Sequence, residues 1–282
     1  MAPSVVLSPA KINLFLRVIG KRSDGYHELE TLMCCVDLFD TVTLSFGVPA
    51  IRVRCSHPEV PEGEENIAYR AAVRFFEALG TDERIDVYID KRIPVAAGLG
   101  GGSSNAAAVL KGLNEHFGRP LRQERLLEIG LTLGADVPFF LFGRNAIARG
   151  IGERLEPAGK IPPAWVVLVH PRVRVSTKWV YDNLNLRLTN CEENYNVSSF
   201  LEDLSSVQDF LCNDLEQVTA QEFPEIGVIK QALLALGAKG ALMSGSGPTV
   251  FGLFERHGQA SAARKRLEQH RDYDTFLVRL LS

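Results

Sequence analysis

Pro94-Val95-Ala96-Ala97-Gly98-Leu99-Gly100-Gly101-Gly102-Ser103-Ser104-Asn105-Ala106-Ala107-Ala108 places four glycines in the five positions 98–102, followed directly by alanines. Glycine reaches left-handed backbone angles at no steric cost, so successive amides can turn inward as a nest for an anion. The alanines start a helix, whose unpaired amides and positive dipole end add to the same field. Ser103 and Ser104 carry hydroxyls that can reach a phosphate or Mg²⁺. A serine-capped flexible linker is the plain alternative, but a linker has no need of an alanine-rich helix joined to it. The stretch is not a P-loop, because no lysine precedes the serines. Nor is it the dinucleotide fingerprint, because Ser103 stands where the third glycine belongs. The expectation is a phosphate site of another kind, with any cation supplied from elsewhere in the chain.

Outward from this loop, short strands and helices alternate irregularly. Ile12, Leu14, Leu16 and Val18 share a strand face, and Arg22-Ser23-Asp24-Gly25 is turn chemistry. Strands are expected at Thr41–Phe46, Ile51–Cys55 and Ile85–Asp90, with a helix between the last two on Ile67, Ala71, Phe75 and Leu79. The glycine loop opens a helix over about Ser104–Phe117, striped by Ala106, Leu110, Leu113 and Phe117. A third helix covers Arg122–Leu133 and stops before Pro138, and Phe139–Phe142 with Ala146–Arg149 reads as a strand pair around Gly143. Pro157–Pro163 marks a boundary between domains at 1–157 and 158–282. Beyond it, strands are expected at Trp165–His170, Ala241–Met243, Thr249–Phe254 and Thr275–Leu280, and helices at Ile226–Leu236 and Gln259–Glu268. Asn183–Val207 is polar and aperiodic, a loop with a short helix. This order favours a two-domain α+β fold over a doubly wound sheet.

Of the 282 residues, 46% are hydrophobic and 23% charged, enough apolar material for a core. A net charge of −3 gives no general pull toward nucleic acid or anionic membrane, so any anion it binds must be caught by a local site. A monomer or weak homodimer acting on a small molecule is expected. The five cysteines show neither CxxC pairs nor metal-ligand spacing and fit reduced thiols in a cytoplasmic protein. Met1-Ala2-Pro3-Ser4 does not begin a signal peptide, and no apolar run approaches the roughly 20 residues of a membrane helix.

Three stretches together resemble the GHMP kinases, the superfamily of galactokinase, homoserine kinase and mevalonate kinase. Pro94–Ala108 resembles their ATP loop, Ser8-Pro9-Ala10-Lys11-Ile12-Asn13-Leu14 their N-terminal substrate strand, and Leu242-Met243-Ser244-Gly245-Ser246-Gly247-Pro248-Thr249 their C-terminal glycine loop. Asp24-Gly25-Tyr26-His27, Glu65-Asn66, Gly134–Phe140 and Gly150-Ile151-Gly152-Glu153 resemble the branch that phosphorylates 4-diphosphocytidyl-2-C-methyl-D-erythritol in the non-mevalonate isoprenoid pathway. The likeness runs nearly end to end and fades over about 185–210. Asn105 stands where many relatives have aspartate, and its amide is expected to cap the helix. The resemblance implies a ribosomal S5-like N-terminal domain, a ferredoxin-like C-terminal domain and an active site in the cleft between them.

Read alone, Lys11 on a strand is an ordinary solvated side chain and Asp136 after a helix an ordinary turn former. Together they supply what phosphoryl transfer to an alcohol needs: a carboxylate to take the proton and an ammonium to stabilise charge. The resemblance assigns these parts to Asp136 and Lys11. Tyr26 and His27 alone read as surface aromatics, and the resemblance makes them the stacking face and polar edge of a cytosine pocket. It adds Asn13, Thr177 and Tyr181 to the substrate side. To the ATP side it assigns Asn66, Pro94, Gly98, Leu99, Gly100, Gly101, Gly102, Ser103, Ser104, Asn105, Gly245, Ser246 and Gly247, with Mg²⁺ carried by the nucleotide. Gly245-Ser246-Gly247 by itself is equally a hairpin turn. Another GHMP kinase, or a catalytically silent sensor on the same scaffold, remain the alternative functions.

Overall fold

The computed structural model describes residues 3–186, 191, 204 and 207–281. Two compact units emerge, neither continuous in sequence. One comprises 1–10, 38–95 and 100–143, the other 11–37, 96–99 and 144–282. Strands β1 (Ser4–Lys21) and β2 (His27–Phe46) are long enough to run through both.

In the first unit, β3 (Arg52–Cys55) runs parallel to β4 (Ile85–Asp90), which pairs antiparallel with Thr41–Phe46 of β2. Helix α1 (Ile67–Leu79) begins where the Asn66 side chain accepts a 2.8 Å bond from Ala68 N and ends at left-handed Gly80, φ 68°. Its buried face, Ala68, Ala71, Ala72, Phe75 and Phe76, packs on α2 (Gly101–His116). Helix α2 starts three residues earlier than the sequence suggests, because Gly101 and Gly102 are already helical. It is also buried on nearly every side from Ser104 to Leu110, which small side chains permit where a single apolar stripe was expected. At Gly112 a Cβ would lie 2.4 Å from Leu44 Cδ1, so only glycine allows this approach to β2.

Helix α3 (Gln123–Leu133) follows as expected, but Val137–Phe142 is a short helix, α4, and not a strand. Pro138 lies in its first turn, where a missing N–H costs nothing. The apolar run Val137–Leu141 is buried on all sides, and such a run carries no period that separates strand from helix.

In the second unit, β1 lies between β2 and β8 (Cys212–Asn213), while β5 (Ala146–Gly150) pairs with β2 and with β6 (Arg154–Pro157). A separate antiparallel sheet has the order β11-β7-β10-β9, from Asp274–Arg279, Trp165–His170, Val250–Phe254 and Gly240–Met243. Helices α8 (Glu225–Ala235) and α9 (His257–Leu267) cover it, giving the strand–helix–strand–strand–helix–strand layout of a ferredoxin-like domain. Among the described residues the unit also holds three shorter helices: α5 (Thr177–Asp182), α6 (Val207–Phe210) and α7 (Asp214–Glu222). Most of the expected loop at 183–207 lies outside the described residues. The expectation of five reduced cysteines is corrected: Cys191 and Cys212 form a disulfide, and Cys34, Cys35 and Cys55 remain thiols. The 21-residue separation carries no recognisable spacing, and connectivity follows only once β8 pairs with β1. No helix among the described residues is long and apolar enough to cross a membrane.

Candidate active site

Every second residue at the start of the glycine loop has a positive φ: Ala96 at 54°, Gly98 at 75° and Gly100 at 71°. Alternation of this kind turns successive amides to one side. Gly101 and Gly102 take no part in it, since they form the first turn of α2 with Gly100 as N-cap. Within the second unit, segment 96–99 is fixed from two directions. Lys11 N donates to Leu99 O at 3.0 Å, while Ser244 Oγ donates to Gly98 O at 3.0 Å and Thr249 N to Ala97 O at 3.4 Å. At Gly98 a Cβ would come within 2.1 Å of Ser244 O, so the two glycine loops touch backbone to backbone. Asn213 holds the second loop by donating to Met243 O and Gly245 O, both at 2.8 Å.

Lys11 and Asn13 lie two apart on β1, on one face, and both are buried, at 4% and 2% exposure. Lys11 Nζ donates to Asn13 Oδ1 at 2.6 Å, Asn13 Nδ2 to Thr31 Oγ1 at 2.9 Å, and Thr31 Oγ1 to Phe15 O at 2.5 Å. The solvated-strand reading of Lys11 is thereby excluded. A Cβ on Gly245 would stand 3.2 Å from Lys11 Nζ and 3.4 Å from Asn13 Oδ1, which puts the ammonium against the glycine loops.

In the first unit, Asp136 is half-buried at the N-cap of α4, φ −85° and ψ −13°. A Cβ on Gly134 would lie 3.8 Å from Ser103 Oγ, so the Gly134-Ala135-Asp136 turn sits against the first turn of α2. Ser104 and Asn105 point inward instead. Ser104 Oγ accepts from Ser8 Oγ at 2.7 Å, and Asn105 Nδ2 donates to Ser8 Oγ and to Asp40 Oδ2, both at 2.9 Å. Asn105 therefore caps no helix; the second turn of α2 faces the interior, and its amide is spent there. Asn66 caps α1 through its side chain and bonds Pro61 O at 2.7 Å. Sequence reasoning missed Asp40 and Lys91, a buried ion pair in this unit. A lone aspartate within a strand offers no pattern to find it by.

Tyr26 is 58% exposed, and its N–H bonds the Asp24 carboxylate at 3.1 Å, the main influence holding Asp24 below its ordinary pKa. His27 stacks on Tyr181 with ring centroids 5.1 Å apart and 26° between planes. Burial, with the Lys21 charge, lowers the His27 pKa, so its ring is neutral at pH 7. Thr177 Oγ1 and Ser246 Oγ lie 2.8 Å apart, which joins the expected substrate wall to the second glycine loop.

The profile of the GHMP kinases N terminal domain matches residues 66–144, and that of the GHMP kinases C terminal region matches 196–272. The 4-diphosphocytidyl-2-C-methyl-D-erythritol kinase of Geobacter metallireducens is 49% identical over 275 residues, 97% of each chain. That of Geobacter sulfurreducens is 51% identical over 261 residues, 92% of this chain and 93% of the relative. The chain belongs to this family of GHMP kinases. A crystal structure of a 4-(cytidine 5'-diphospho)-2C-methyl-D-erythritol kinase superposes with TM-score 0.85 at 37% identity, covering 99% of this chain and all of that one. Homoserine kinase from Cytophaga hutchinsonii, at 21% identity and TM-score 0.78 over 100% of this chain and 95% of that one, shares the fold.

Proposed function

We propose that this GHMP kinase transfers the γ-phosphoryl group of ATP to the 2-hydroxyl of 4-diphosphocytidyl-2-C-methyl-D-erythritol, a step of non-mevalonate isoprenoid synthesis. The observation that carries the reading is the placement of a buried ammonium, Lys11, against glycine loops that touch backbone to backbone. An apolar or silent site has no use for a buried lysine held there. The alternating amides of 96–100 and the first turn of α2 receive the phosphates. Asp136 takes the alcohol proton as the oxygen attacks in line, Lys11 stabilises charge on the transferring oxygens, and no phosphoenzyme forms. Asn13 and Thr31 orient the Lys11 head group. Tyr26, His27 and Tyr181 receive the cytosine, with Thr177 beside them, and Asn66 lies on the adenine side. Magnesium, carried on the triphosphate, would supply charge neutralisation, and the Ser103 hydroxyl at the first turn of α2 is a hard oxygen donor that suits such an ion.

Asp136→Asn keeps shape and removes the base. Turnover is expected to fall by roughly 10² or more, with both KM values held. Lys11→Met is expected to lower kcat in the same way. Steady-state kinetics showing near-normal kcat in both variants would exclude these roles.

A further inference from the structure

Asp40 is wholly buried and uses both carboxylate oxygens twice. Its Oδ1 accepts from Arg92 N at 2.7 Å and Ile93 N at 2.8 Å. Its Oδ2 accepts from Asn105 Nδ2 at 2.9 Å and from the Lys91 ammonium. Residues 91–93 lead into the glycine loop and residue 105 leads out of it, so both stems of the loop close on a single carboxylate. Lys91, itself nearly fully buried, reaches the far side of the loop as well: a Cβ on Gly101 would lie 2.7 Å from its Nζ. A side chain at Gly101 would therefore displace the Lys91 ammonium and press on Ile93 Cγ2 at 3.1 Å, with no left-handed angle involved. The pair is neutral overall and out of solvent, so it adds no net charge to hold a phosphate. Its effect is geometric.

We propose that Asp40 and Lys91 are positioning residues for ATP, a clasp that holds the stems of the phosphate loop together and so preorganises the amides before nucleotide binds. The proposal rests on the loop being the nucleotide site. Joining the ends of a dozen-residue loop costs conformational entropy, and a loop left open must meet that cost on binding. Loosening the clasp therefore weakens ATP without altering chemistry in the bound complex. A purely structural ion pair behaves differently, because losing it reduces the folded fraction, which lowers apparent kcat and leaves KM unchanged.

The test is steady-state kinetics of Lys91→Met, Asp40→Asn and Gly98→Ala beside wild type, with melting temperatures. Lys91→Met keeps the stem bonds to Asp40 and so remains measurable should Asp40→Asn fail to fold. For Lys91→Met we expect the KM for ATP to rise about tenfold, kcat at saturating ATP to stay within about twofold, and the KM for the cytidylyl substrate to stay put. A wild-type KM for ATP with a lowered melting temperature or kcat would overturn the clasp. Gly98→Ala separates the two levels. If it raises the KM for ATP and Lys91→Met does not, the clasp alone fails. If Gly98→Ala leaves the KM for ATP unchanged, the loop is not the nucleotide site.

Discussion

Gly98 has neither the dihedral freedom nor the space for a side chain: its φ is 75° and the Ser244 carbonyl occupies the site of a Cβ at 2.1 Å. Gly98→Ala is therefore expected to push segment 96–99 off the second glycine loop and raise the KM for ATP at least tenfold, while far-ultraviolet circular dichroism stays native. Wild-type affinity in a folded variant would contradict the placement of the nucleotide on this loop. Tyr26 tests the substrate side. A base stacked on an aromatic ring gains roughly 1–3 kcal/mol. Tyr26→Ala is expected to raise the KM for the cytidylyl substrate by about one to two factors of ten, and Tyr26→Phe only slightly, with the KM for ATP unmoved. An effect on ATP alone would invert the assignment. Lys11 was legible as a candidate only through the resemblance of Ser8–Leu14 to the GHMP substrate strand, and burial is what distinguishes it from a solvated lysine. Asp40 was not legible, since its partners come from residues 51 to 65 positions away.

At the scale of elements, α1, α3 and β4 matched their sequence signals because local caps and periodicity decide them. Asn66 and Gly80 bound α1, and alternation fixes Ile85–Asp90. Elements decided by burial were not readable this way. Val137–Phe142 is helical although its residues suit a strand, and α2 begins inside the glycine run because its N-cap is the left-handed Gly100. The disulfide belongs here too, since Cys212 lies on β8, paired in register with Phe15 of β1, and Cys191 Sγ is 3.6 Å from Leu16 O. Denatured protein purified in air without reductant is expected to titrate three thiols with a chromogenic disulfide reagent, from Cys34, Cys35 and Cys55. Five thiols would contradict the Cys191–Cys212 bridge.

For the whole molecule, the α+β class and the C-terminal antiparallel sheet follow from the irregular order of strands and helices, which suits no doubly wound sheet. The two units interleave along the chain, and no composition shift marks that: β1 and β2 are unbroken strands whose residues fall partly in each. Family membership covers nearly the full length, so the account's central claim concerns which alcohol accepts the phosphoryl group. The fold alone does not choose, because homoserine kinase shares it. In the proposed reading the choice falls to Tyr26 and to the stacked pair His27–Tyr181, for which an amino-acid or mevalonate site has no base to stack. The most direct measurement is ADP release from ATP with 4-diphosphocytidyl-2-C-methyl-D-erythritol, homoserine and mevalonate offered separately, with the product identified by phosphorus NMR. Rapid ADP release with the cytidylyl substrate alone, and a new monophosphate ester on its 2-oxygen, is the predicted result. Equal or faster release with homoserine or mevalonate, or a phosphate placed on another oxygen, would contradict it.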